Sequence, residues 1–390
     1  MNPLRKYLDN IKPNFQKGGK YEKFYATFEA FESFLFVPDI VTNRGAHIRD
    51  ASDLKRTMTV VIVAVIPAML FGMWNTGFQN AEAFGITRTL WGNFWFGFLK
   101  VFPIIVVSYV VGLGVVFAAA HIRKHDVNEG FLVSGILIPL VMPVDVPLWT
   151  VAVATAFAVI FAKKVFGGTG MNIWNPALVA RAFLFFAYPS EMSGDHVWVS
   201  GIRDEGVKLV DSFSGATSLA EVASGQPITA SLCEMFIGTI PGSIGETSTL
   251  AILIGAAILI FTGVANWRVI ISVFAGGAVL GLLFNLWGAN SYMQIPFYYH
   301  FVMGGFAFGA VFMATDPVTG SHTDTGKWIY GLMIGAITVL IRVLNPSYPE
   351  GMMLAILLLN TFAPLIDHYV IEANIKRRLK RANVNNRISN

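Results

Sequence analysis

Residues 99–119 read LKVFPIIVVSYVVGLGVVFAA, with Lys100 as the only charged side chain. As a helix the run spans roughly 30 Å, close to the hydrocarbon thickness of a bilayer. Similar apolar runs at 57–77, 130–143, 148–163, 172–188, 249–265, 269–288, 300–315, 328–344 and 351–368 give ten expected spans. Over 390 residues, 54% of positions are hydrophobic, 13% are charged and the mean hydropathy is +0.58. That is more apolar side chain than one water-facing domain buries, so the composition excludes a soluble enzyme and points to an all-α polytopic membrane protein.

Charge sets the expected topology. Of 28 Lys and Arg, 22 fall in segments that lie on one side if the amino terminus is inside, so both termini are expected in the cytoplasm. The net charge of +4 is then a topology signal rather than a nucleic-acid footprint. The chain divides into a basic arm (1–56), a first five-span half (57–188), an outer connection (189–248), a second half (249–368) and a basic tail (369–390). In the arm, Phe24, Phe28, Phe31, Phe34 and Phe36 recur among bases, suiting either docking on the protein's own spans or a quinone access surface along the membrane.

An offset of 170 aligns Phe131 with Phe301, Gly135 with Gly305 and Asn175-Pro176 with Asn345-Pro346; at 171, Asp145 meets Asp316. Five spans per half is an odd number, so the second half enters from the opposite face, and two inverted repeats are expected around a midplane site. The third span of each half is short and interrupted by Gly or Pro, a pattern of broken helices whose polar ends hold ligands.

Cys233 is the single cysteine, which excludes an intrachain disulfide and a four-thiolate cluster or zinc site. No P-loop and no G-x-G-x-x-G after a strand is present, so no nucleotide signature, metal-ligand set or catalytic side chain is assigned. Residues 211–219 read DSFSGATSL. Ser214, Gly215 and Ala216 are small, and they leave the Thr217 hydroxyl open to a phosphoester or make a turn or helix cap. In residues 166–176, FGGTGMNIWNP, Asn172 and Asn175 are three apart. As helical neighbours they suit the donor and acceptor edge of a heterocycle, or they cap the helix start. Glu129, Glu350 and Asp316 lie at span ends, where a carboxylate takes Na⁺, relays a proton or simply meets water and counter-charges, as Arg181 within the fifth span would by pairing with a carboxylate. Gly112 and Gly114 either pack helices closely or clear space for a flat ligand.

The segments KGGKYEK (17–23), HDVNEG (125–130), FGGTGMNIWNP (166–176), SGAT (214–217), PGSIGE (241–246), MATDPV (313–318) and NPSYPEGMM (345–353) resemble the B-subunit family of bacterial Na⁺-translocating NADH:quinone oxidoreductases over essentially the whole chain. The resemblance implies ten helices in two inverted halves, a fold similar to that of urea transporters. It also implies FMN esterified by a flavin transferase to Thr217, with Asp211 as the motif's leading acid, and non-covalent riboflavin at Asn172 and Asn175. Electrons would run from the C subunit through these flavins to ubiquinone, in a six-subunit inner-membrane complex with subunits A, C, D, E and F that exports Na⁺. The quinone would be met near Gly112 and Gly114, and Asp316, Glu129 and Glu350 would serve Na⁺. Leu113 departs from the family, where a second glycine often follows Gly112. The D subunit of Rnf-type ferredoxin:NAD⁺ oxidoreductases and, from another class, a urea-transporter-like channel are the alternatives.

Overall fold

The computed structural model describes residues 54–123, 130–203, 210, 213–345 and 351–388, with 3–16, 19–21 and isolated positions of the amino-terminal arm. Phe24, Phe31, Phe34, Asp211, Glu129 and Glu350 lie outside the described residues. Helix makes up 70% of the structure, and no strand occurs among the described residues.

Helix α1 (Pro3–Ile11) opens the arm, where Arg5 and Lys12 pair with Glu32 at 3.2 and 2.9 Å and Phe15 stacks on Phe28. Among the described residues five helices are long and apolar enough to cross a bilayer: α2 (Leu54–Ala83), α3 (Leu90–Arg123), α10 (Trp267–Trp287), α13 (Asp324–Leu344) and α14 (Met352–Ile388). The other apolar segments are shorter or interrupted. They are α4 (Phe131–Leu140), α5 (Leu148–Ala158) running into a π-helical turn at Val159–Lys164, α6 (Pro176–Ala187) and α9 (Thr249–Phe261). The eighth segment is broken into α11 (Tyr299–Val302), α12 (Phe306–Phe308) and a π-helical stretch at Gly309–Met313.

The break is held by one side chain. Arg342 of α13, fully buried, donates to the carbonyls of His300 and Met303 at 2.7 and 2.9 Å and lies over the Phe306 ring. Backbone freed from a helix inside a bilayer must find partners in the protein, and Arg342 supplies them. Around it α10 and α13 pack backbone to backbone: Gly276 lies on the Leu332 carbonyl and Gly335 on that of Val273. Lipid is as apolar as leucine, so close van der Waals approach through small residues is what joins such helices.

The described residues of the connection 189–248 are folded onto the bundle. The connection carries α7 (Ser218–Ala223) and α8 (Leu232–Ile237), whose Leu219, Val222 and Met235 join Phe284, Val302, Val339 and Val343 in a second apolar core. Helix α2 ties it down: Asn75 donates to the Ile240 carbonyl, Asn80 to that of Ser200, and Ala83 accepts from the Val210 amide. Residues 244 and 245 then donate to the carbonyls of Met142 and Leu140, closing the end of α4.

Candidate functional site

Cavities occupy opposite ends of the bundle. Thr57, Met58 and Val61 at the start of α2 line one. The other lies under the connection that α2 holds from Asn75 onward, about 27 Å away along the helix axis from Thr57.

The cavity beneath the connection has a volume of about 430 Å³, within the range of small-molecule sites. Thr217 stands at it as the N-cap of α7, with its Oγ1 accepting from the Ala220 amide at 3.3 Å. The cap reading and an accessible hydroxyl thus coexist, for Thr217 is only half-buried. Gly215 is buried, and a Cβ there would overlap the Asp195 carbonyl, so glycine is what lets the motif fold onto its neighbour. Ser214 is exposed, and its Oγ accepts from the Ala216 amide. Phe185, Met192 and Trp198 form apolar walls. Residues 243–247 supply a polar one: Glu246 accepts from Arg181 at 2.7 Å, both groups being nearly closed to water, and the hydroxyls of Ser243 and Thr247 are buried with no hydrogen-bond partner among the described residues. Arg181 therefore has the carboxylate partner expected of an arginine inside a span. Two orphaned hydroxyls cost about 1–3 kcal/mol each unless something meets them.

At the other end Asn172, Asn175, Lys163 and Asp316 line a cavity of about 80 Å³. The two asparagines do not share a helix face, because α6 starts only at Pro176. Asn175 is its N-cap, Oδ1 accepting from the Ala177 amide at 2.9 Å while Nδ2 donates to Asp316 at 3.4 Å; Asn172 lies ahead of the helix and donates to the Trp174 carbonyl. Asp316 also accepts from the Val318 amide. Lys163, nearly fully buried, shares this cavity and interacts electrostatically with Asp316. Sequence reading missed Lys163 because Lys163-Lys164 looked like an ordinary topology signal at a span end. It quoted Ser243 and Glu246 only within PGSIGE and passed over Thr247, because no local pattern marks them; Glu246 is marked by its pairing with Arg181 across 65 residues.

Gly112 and Gly114 do not come together. A Cβ at Gly112 would overlap the Phe131 ring, the signature of close helix packing, whereas Gly114 is exposed with open space around it.

The fold and its cavities define a helical membrane protein with ligand-sized space on one side and, on the other, a charged site where cavities of about 80 and 390 Å³ share Asp316. Residues 41–376 match the family described as NQR2, RnfD, RnfE, and the chain belongs to that family. It is 50% identical to the B subunit of the Na(+)-translocating NADH-quinone reductase of Ectopseudomonas mendocina over 97% of this chain and 99% of that protein. It is likewise 50% identical to the B subunit from Stutzerimonas stutzeri and 47% identical to that from Pseudomonas aeruginosa, with the same coverage.

Proposed function

We propose that this chain is the membrane-embedded B subunit of a Na⁺-translocating NADH:quinone oxidoreductase, a translocase, and that it carries FMN esterified to Thr217. Near-full-length similarity to relatives of that name supports the assignment. The observation that carries the flavin reading is the half-buried Thr217 hydroxyl on a 430 Å³ cavity with unsatisfied polar groups in its wall. The residues fit the group: apolar and aromatic walls suit a flat ring, and polar atoms wait in one wall. FMN supplies the redox chemistry when bound. The chain's own residues anchor it through the threonine oxygen, exclude water with Phe185 and Trp198, and set its electrostatic surroundings through the Arg181–Glu246 pair.

Electrons arrive in this reading from the flavin of the C subunit and leave to ubiquinone, with Na⁺ exported and subunits A, D, E and F completing the complex. Both termini lie in the cytoplasm of a bacterial inner membrane, and a flavin transferase acts from outside. Ten crossings in two inverted halves are supported by repeated packing: α3 lies on α5 as α10 lies on α13, α5 on α6 as α13 on α14, and α2 on α4 as α9 on α12. The extensive α2–α3 pairing has no comparable counterpart between α9 and α10 among the described residues. Non-covalent riboflavin is assigned to Asn172 and Asn175; the 80 Å³ that they line does not by itself admit a three-ring system, and a neighbouring cavity of about 390 Å³ shares Thr315 and Asp316 with it. Asp316 is the Na⁺-facing acid of this reading, with Glu129 and Glu350, and Gly114 is the open member of the quinone pair.

The test is ultraviolet fluorescence of the denatured band from cells with an active flavin transferase. The wild-type chain is expected to fluoresce and Thr217→Ala to be dark. A dark wild-type band would overturn the flavin assignment and favour a solute channel.

A further inference from the structure

The polar wall formed by residues 243–247 has no structural task that explains all of its parts. Glu246 is accounted for by Arg181, yet Ser243 and Thr247 are 3% and 5% exposed and their hydroxyls meet nothing among the described residues. All three side chains line the same cavity as Thr217. A hydroxyl rotates to donate wherever an acceptor is offered, and an ionised carboxylate only accepts. The wall thus offers two donors and one acceptor. The edge that complements this set is acceptor, donor, acceptor: an imide, C=O, N–H, C=O, such as the pyrimidine end of an isoalloxazine.

We infer that Ser243, Thr247 and Glu246 hold the imide edge of the ring tethered at Thr217, the two hydroxyls donating to its carbonyls and the carboxylate accepting from its N–H. The inference rests on the flavin reading above and adds which residues orient the ring and tune its potential. Phe185 and Trp198 give the apolar surface against which a flat ring lies, and Arg181 aims the Glu246 carboxylate through its 2.7 Å hydrogen bond. Electron density added on reduction spreads to the imide carbonyls, so donors at those oxygens favour the reduced state and a nearby negative charge disfavours it.

The experiment is a redox titration of the covalent flavin in the full chain, purified after co-expression with its flavin transferase, with band fluorescence measured in parallel. Ser243→Ala with Thr247→Val is expected to lower the midpoint potential and Glu246→Gln to raise it, at unchanged flavin content. Thr247→Ser, which keeps the hydroxyl, is expected to titrate as wild type. Opposite shifts at constant flavin loading are not produced by loosened packing. If the double variant loses its flavin, the two single substitutions are titrated instead. Fluorescent variants that all titrate at the wild-type potential would overturn the inference while leaving the tether at Thr217 standing; a dark wild-type band would remove the flavin reading itself.

Discussion

Arg342 is the residue on which the broken eighth segment depends. Its guanidinium closes the carbonyls of His300 and Met303, which the broken helix leaves without helical partners. Arg342→Met is expected to lower the unfolding midpoint of the detergent-solubilised chain, by about 1–3 kcal/mol for each orphaned carbonyl. A thermal scan monitored by near-ultraviolet dichroism checks it. At this scale sequence was a partial guide. Arg181 stood out because a charge within a span demands a partner, whereas the partner, Glu246, lies in a polar turn where acids are commonplace. The Thr217 cap was legible in its run of small and hydroxyl residues; the unsatisfied hydroxyls of Ser243 and Thr247 were not, since an unsatisfied hydroxyl is a property of packing and leaves no trace in composition.

Among elements, the pairing of α10 and α13 is the most exacting. Gly331 and Gly335 recur at a spacing of four, which stacks them on one face, and each meets α10 at Ser272 or at the Val273 carbonyl with no room for a methyl. Gly335→Val is therefore expected to cost about 1–3 kcal/mol through overpacking, while Gly114→Val, where nothing lies within 4 Å, leaves the midpoint unchanged. Parallel unfolding of the two variants in the same detergent reads the contrast. The long helices were legible because an uncharged run of 20 residues has few other fates. The start of α6 was not placed at 172 by the chain: apolar Met171, Ile173 and Trp174 extend the hydropathic run, but Asn175 and Pro176 form the cap and first position of the helix. The break at 303–305 was legible only as Gly-rich sequence. Its geometry needs Gly304 at φ 61°, and its survival needs Arg342 from a distant helix.

For the whole molecule, orientation has a built-in reporter. Cys233 is the single cysteine and sits exposed on α8, within the connection that carries Thr217. A membrane-impermeant maleimide is expected to label the chain in right-side-out vesicles and to leave it unlabelled in inverted ones; the reverse pattern would place Thr217 in the cytoplasm. The outward face of α3, with Trp91, Trp95, Leu99, Phe102, Val106 and Val110 exposed in succession, suits lipid or an apolar partner surface. Helix α2 links the two ends of the bundle: its first turns wall the compact cavity of Asn175 and Asp316, and its last turns grip the carbonyls of Ser200 and Ile240. A guest on that side meets the first turns of α2 at the compact cavity and finds about 390 Å³ of further space beside Asp316. Whatever leverage such a guest exerts on the Thr217 connection, an occupant beneath that connection must exert in equal measure on the guest, because linkage between two binding equilibria runs both ways.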